Sequence, residues 1–252
     1  HYGTTGCRMH LDIKAALGPG GGVYAIDPRV TAGEPTPAEF ALMGDIAHVD
    51  GDTLDLSIAL ETHAPIERVD ILNGSSLLST VRPFDVDVSN RIRVIWEGAE
   101  YRGRGRTTYW QGAAHFDSAR ITAMQPINRW NLERAIDVVD GNRVQFDAVT
   151  TGNFGGCDIW LDTNASTLAI DTDLVSGQFA LNDIGERDTV LDAGGLARRI
   201  RVFRLPETLS HCTLTHTETV GLQPGRDNPL WVRVTTEDGF VGWSSPIYVT
   251  RP

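Results

Sequence analysis

The sequence predicts an all-β chain, built as one large β-sandwich or two packed β-sandwich lobes with little helix. Three observations carry this. Short runs alternate apolar and polar residues with a period of two. Gly, Asn and Asp interrupt them at spacings of about 8–12 residues, and no long stretch repeats with the helical period. Composition agrees: 26 Gly and 12 Pro among 252 residues supply many turns, and 41% hydrophobic content is enough for a real core.

His1 to Ile13 reads as a turn plus a strand, because Gly3 and Gly6 break any helix. The stretch from Lys14 to Pro37 is rich in Gly and Pro and contains Gly18-Pro19-Gly20-Gly21-Gly22. It is the best candidate boundary. The expected organisation is therefore residues 1–16 as the tail of a preceding domain, 17–37 as a linker or loop, and 38–252 as the β-sandwich region. A break between lobes is placed near 119–131.

From Thr53 to Glu61, Leu54, Leu56, Ile58 and Leu60 fall on one face, which describes a half-buried strand. Ile66 to Leu72, the turn Asn73-Gly74 and Leu77 to Val81 form a hairpin. Arg91 to Trp96 turns Ile92, Val94 and Trp96 inward. Asn131 to Val139 is the best candidate for a short helix. Val144 to Val149, Ile159 to Leu161, Thr167 to Ile170, Gly177 to Leu181, Leu196 to Leu205 and Cys212 to Thr219 continue the strands. A last hairpin runs from Asp227 to Val249 and turns at Asp238-Gly239.

Charge and composition narrow the function classes. A net charge of −11 disfavours non-specific nucleic-acid binding, which needs cations to displace counterions. No run of about 18 apolar residues exists, so no membrane-spanning helix is expected. Lys14 is the only lysine, which leaves no Schiff-base or phosphate-loop lysine beyond the first segment. Cys7, Cys157 and Cys212 are too few and too widely spaced for a disulfide framework. The chain opens at His1 with no charged-then-apolar leader, so either a leader was removed or the start is cut from a longer chain.

Candidate chemistry is local. Arg102-Gly103-Arg104-Gly105-Arg106 is the most unusual run. With a period of two, Arg102, Arg104 and Arg106 would share one face. There they would clamp an anion, dock on a neighbouring domain, or pair with carboxylates of this acidic chain. His211-Cys212-Thr213-Leu214-Thr215-His216 is the tightest set of metal-ligand types, with Cys212 and His216 on one strand face. Four residues of strand separate those two by about 13 Å, too far to share a metal without a bend. Cys7 and His10 form a second weak pair, and His48, His63 and His115 have no partner in sequence. The acidic groups Asp50/Asp52, Asp85/Asp87, Asp171/Asp173 and Asp183/Glu186/Asp188 read as solvated turns or hard-cation loops, without a twelve-residue calcium pattern. Thr151-Gly152-Asn153-Phe154-Gly155-Gly156 is Gly-rich but lacks the Lys-Ser/Thr of a phosphate loop. Trp96, Trp110, Trp130, Trp160, Trp231 and Trp243 are core residues or, in part, a sugar-stacking platform.

Several pieces occur in an ordered set. They are Tyr2-Gly3-Thr4-Thr5-Gly6, Ala64-Pro65-Ile66-Glu67-Arg68-Val69-Asp70, Gly98 to Arg106, Thr150 to Gly156, Ala193-Gly194-Gly195-Leu196, Val202-Phe203-Arg204-Leu205-Pro206, and Asn228-Pro229 to Val249. In this order they resemble the C-terminal half of a bacterial family known as domain of unknown function 3604. In that family the N-terminal half is similar to a metal-dependent phosphoesterase barrel of the polymerase-and-histidinol-phosphatase type. The resemblance implies that this chain is a non-catalytic accessory β-region, partnered by a preceding catalytic domain whose cleft it shapes. It implies no cofactor in this chain and a divalent metal in the missing half. A carbohydrate-binding module, suggested by six tryptophans on a sandwich, and a hydrolase using Cys7, His10, Cys212 or His216 are the alternatives.

Overall fold

The computed structural model describes residues 1–85 and 89–251. All its regular elements are strands, apart from one 3-10 turn at Leu181–Asp183. The chain divides into two compact units, one formed by His1–Pro83 with Leu209–Pro252 and the other by Phe84–Thr208. The second unit is therefore inserted into the sequence of the first.

Before the insertion come β1 (Tyr2–Thr4), β2 (Met9–Ala16), β3 (Gly22–Tyr24), β4 (Thr36–Pro37), β5 (Phe40–Leu42), β6 (Ile46–His48), β7 (Thr53–Thr62), β8 (Ile66–Asn73) and β9 (Ser76–Val81). The inserted unit holds β10 (Arg91–Ala99), β11 (Thr108–Phe116), β12 (Ile121–Ile127), β13 (Ile136–Val139), β14 (Arg143–Thr150), β15 (Phe154–Leu161), β16 (Thr167–Thr172), β17 (Ser176–Ala180), β18 (Thr189–Asp192) and β19 (Leu196–Leu205). After it come β20 (Thr213–Gly221), β21 (Asp227–Thr236), β22 (Val241–Ser244) and β23 (Ile247–Thr250).

In the first unit, one sheet has the order β20-β7-β2-β5. The other centres on β21, which pairs with β8 on one side and with β22 and β23 on the other. β9 extends it beyond β8, and β6 joins β23 in parallel. The insertion falls between β9 and β20 of this unit. The period-two reading of Thr53 to Glu61 holds: alternate residues of β7 are buried, with Leu56 and Ile58 at most 1% exposed. They meet Leu11 and Ile13 of β2 and Val69, Ile71, Val232 and Val234 of the facing sheet in one core. Each large side chain so buried contributes roughly 1.5–3 kcal/mol.

The segment expected as a preceding domain's tail thus lies within this unit, β1 against β22 and β2 against β7. Within the expected 17–37 loop, β3 and β4 pair with each other. The closing hairpin returns in two pieces, because the chain breaks at Ser245-Pro246 between β22 and β23.

The inserted unit is a sandwich of two five-stranded sheets, β12-β15-β10-β19-β18 and β13-β14-β11-β16-β17. Its core includes Ile92, Val94, Trp96, Trp110, Phe116, Phe146, Ile159 and Val202. The 119–131 segment lies inside this unit, and the division falls at 83/84 and 208/209 instead. The first and last strands, β10 and β19, are antiparallel neighbours, with Arg91 opposite Leu205. On the face of this sheet away from the core, Asp158 accepts from Arg91 Nη2 at 2.5 Å and from Arg93 Nε and Nη2 at 2.6 and 2.8 Å. All three side chains are at most 2% exposed.

The helix expected over Asn131 to Val139 is not formed. Ile136–Val139 is a strand paired with Arg143–Phe146, which buries Ile136 in the core. Tertiary pairing overrides a weak local helical preference here.

Candidate functional site

The inserted unit carries a cavity of about 440 Å³, within the range of ordinary ligand pockets. Four segments build it: the end of β10, the start of β11, the connection from β12 to β13, and β14 with the loop into β15.

Trp96 contributes from β10. Alternation turns it toward the core, where its ring stacks on Phe146 with centroids 4.5 Å apart and planes 17° apart. It is 1% exposed, yet its indole N–H donates to no described residue. Gly155, opposite Trp96 in the β10–β15 register, explains why that N–H remains accessible. A Cβ at 155 would lie 2.8 Å from Trp96 Nε1. Gly155 also lines the cavity, so this glycine leaves a buried donor open to it.

Two further aromatics line the cavity and are exposed: Tyr109 at 57% and Trp130 at 71%. Tyr109 stands on the solvent face of β11, opposite Val149. The Arg134 guanidinium lies 5.4 Å from the Tyr109 ring centroid and forms an ion pair with Asp147. Trp130 sits in the 128–135 connection, which folds on itself. Arg129 Nη2 donates to the carbonyls of Leu132 and Arg134 at 3.0 Å each, and Asn131 Oδ1 accepts from Glu133 N at 2.9 Å. Asp147 N bonds to Ala135 O at 2.9 Å and fixes the far end of the connection. Arg129 Nε also lines the cavity region as a buried donor without a partner. The 151–153 loop closes the rim: Asn153 Oδ1 accepts from Thr151 N at 2.8 Å, and the loop bonds to Gly98 through backbone.

The arrangement combines flat apolar rings with fixed donors and acceptors of both kinds. Aromatic faces take C–H surfaces, while the indole N–H, Arg134, Asp147, Asn131 and Asn153 suit hydroxyls. Nearby, Glu97 lies between Arg199 Nε at 2.5 Å and Arg201 Nε at 3.1 Å. Burial works to raise the Glu97 carboxyl, but Arg201 and Arg199 together outweigh it and hold it below the ordinary carboxylate value.

The sequence-derived candidates fall as follows. Arg102, Arg104 and Arg106 are exposed on the β10–β11 loop, which is irregular rather than a strand. Gly103 and Arg106 take φ of 99° and 50°, and Arg106 N bonds back to Gly103 O. The period-two face is therefore corrected: these three side chains do not form a strand ladder. None of them makes an ion pair with a described residue. The loop's ends are held instead by Glu100, which pairs with Arg198 at 2.5 Å. The Tyr101 N–H, then Arg198, lower the Glu100 carboxyl.

Cys212 lies just before β20, and its carbonyl accepts from the Thr62 hydroxyl. His216 is on β20 and pairs with Glu218 at 3.4 Å. His48 pairs with Asp50 and His63 with Asp238, at 3.2 and 3.1 Å. Asp52 pairs with Arg251. Asp87 of the Asp85/Asp87 pair lies outside the described residues. Among the described residues, no group of three or more His, Cys, Asp or Glu is placed to hold a metal ion. No described helix is long and apolar enough to cross a membrane. Of the tryptophans, Trp96 and Trp110 are core, Trp231 donates to Gly74 O at 2.8 Å, and Trp160 lies against Arg91.

Tyr109, Asn131, Arg134 and Asp147 were not singled out by sequence. The available signal was Asn128-Arg129-Trp130-Asn131, a large aromatic among turn-forming polar residues. No family model, no curated protein and no solved structure matches this chain. The resemblance to the family of domain of unknown function 3604 rests on the ordered motifs alone.

Proposed function

We propose that this chain is a carbohydrate-binding module whose site is the cavity of the inserted unit. The observation that carries the reading is the placement of Tyr109 and Trp130, both exposed, on one cavity with the unpartnered N–H of Trp96. A sugar ring offers C–H faces that cover aromatic surface and hydroxyls that both donate and accept. The cavity presents matching groups, with few rotatable bonds in its aromatic walls. Trp130 left bare in water is hydrophobic surface that a ligand relieves. The reading also serves an accessory region attached to a hydrolase, as the resemblance implies, because it would hold a glycan near a catalytic partner.

The test is calorimetric titration with a panel of mono- and oligosaccharides, with intrinsic tryptophan fluorescence as a second readout. Covering about 100 Å² of the Trp130 face is worth about 2.5 kcal/mol, so Trp130→Ala should weaken binding ~70-fold. Its thermal unfolding should stay within about 0.5 kcal/mol of wild type, since the side chain is exposed. A folded protein that gives neither heat nor a fluorescence change with any saccharide in the panel defeats the proposal.

A further inference from the structure

A second cavity of about 460 Å³ lies on the solvent face of the β13-β14-β11 sheet. It adjoins the first: Asp147 lines both, and Ala135 of the second lies in sequence between Arg134 and Ile136 of the first. Its polar groups stand in register across the strands: Gln111 faces Asp147, and Asp137 faces Gln145. The side chains of Gln111, Asp137 and Gln145, unlike their backbones, make no hydrogen bond to a described residue, so their donors and acceptors are available. Ala113, opposite Gln145 on β11, keeps the floor low. Three strands at about 4.8 Å spacing make this floor roughly 10 Å wide, beyond the aromatic pocket.

We infer that the two cavities form one binding groove for a linear, neutral polysaccharide. One sugar stacks at Tyr109 and Trp130, and the chain continues across β14 and β11. The inference rests on the carbohydrate reading above and adds the ligand's length and charge. Length follows from the shared lining. Neutrality follows from the charges: Asp137 and Asp147 line the second cavity, Arg129 and Arg134 line the first, Arg134 is engaged by Asp147, and the two signs balance over the joined lining. Carboxylated or sulfated chains would meet like charge on that floor. Amide side chains and carboxylates suit neutral hydroxyls as both donors and acceptors.

The test is a calorimetric length series of neutral β-linked gluco-, xylo- and manno-oligosaccharides of one to six units, with uronic-acid oligomers as the charged comparison. It uses the full chain, Gln111→Ala/Gln145→Ala and Trp130→Ala. Affinity for the preferred neutral series should rise with length over the first several units. The glutamine double variant should lose ~10-fold on the longer oligomers and leave the shortest bound ligand unchanged, while Trp130→Ala weakens all lengths. Both glutamines are exposed, so unfolding temperature should not move and a loss cannot be laid to misfolding. Affinity independent of length, or uronic oligomers binding tighter than neutral ones, overturns the groove while leaving the pocket reading intact. Failure of every saccharide overturns both.

Discussion

Replacing Asp158 with asparagine removes a carboxylate that Arg91 and Arg93 share. The magnitude follows from the geometry. The carboxylate accepts three charge-assisted hydrogen bonds of 2.5–2.8 Å, and all three side chains are at most 2% exposed. Breaking a buried ion pair by neutralising one member costs about 3–5 kcal/mol, because the remaining charges stay desolvated. The amide retains one acceptor, which sets the expectation near the lower end, at about 3 kcal/mol. For a unit spanning 84–208, an unfolding entropy of about 2.1 cal/mol/K per residue turns that into a drop of roughly 11 °C. Scanning calorimetry and urea unfolding followed by tryptophan fluorescence measure it. Lys14→Ala is the control: its pair with Asp12 is 3.8 Å long and its side chain 52% exposed, so the change should stay below about 0.5 kcal/mol. If Asp158→Asn unfolds within 0.5 kcal/mol of wild type (about that of the control), the buried network is not holding the unit together and the reasoning fails.

Two further outcomes follow from perturbed groups. Glu97 titrates below its ordinary value of 4.5 in the folded protein, so it stabilises the fold above that pH and loses this contribution as acid protonates it. Glu97→Gln should therefore be less stable than wild type at neutral pH, with the gap narrowing below pH 4.5; a gap constant from pH 7 to pH 3 contradicts this. The Cys157 thiol is 1% exposed and pushed far up, first by burial and then by the neighbouring Asp158 carboxylate. A disulfide reagent should modify the partly exposed Cys7 and Cys212 in the native protein and reach Cys157 only on unfolding, as peptide mapping would show. Labelling of Cys157 at the rate of Cys212 would disprove it.

Strands with one buried face were legible, because burial leaves a period of two in the residues themselves. Thr53 to Glu61 is such a case; Arg91 to Trp96 is buried on both faces but keeps the period because Arg91 and Arg93 are the polar members of its second face. Thr108–Phe116 was hidden because Gly112, Ala113 and Ala114 blur the alternation that Thr108, Trp110 and Phe116 would otherwise display. The arginine run was misread because a period of two has meaning only on a strand, and Gly103 takes the chain out of one. The cavity was not legible because its lining converges from four separate segments. Trp96 in particular carries the core pattern faithfully and still exposes one polar edge, owing to a glycine 59 residues later that occupies the facing position. The insertion left only the prolines Pro83 and Pro206 near its borders as a trace.

Placing a whole sandwich between β9 and β20 has a consequence for the order of events at the ribosome. β7 emerges early, but one edge must wait for β20, and the bond from Thr62 to Cys212 closes across 150 residues. At about 5–20 residues per second, that is a delay of roughly 8–30 s. The inserted unit has all its strands within its own span and can complete itself meanwhile, bringing β10 and β19 side by side. Its closure shortens the effective loop that the outer sandwich must still join, so the late strands arrive at a site already drawn together. The guest thus acts as a clasp for its host: slowing the folding of 84–208 should leave the early strands waiting with open edges and raise aggregation of the nascent chain before it touches the final stability of the first unit.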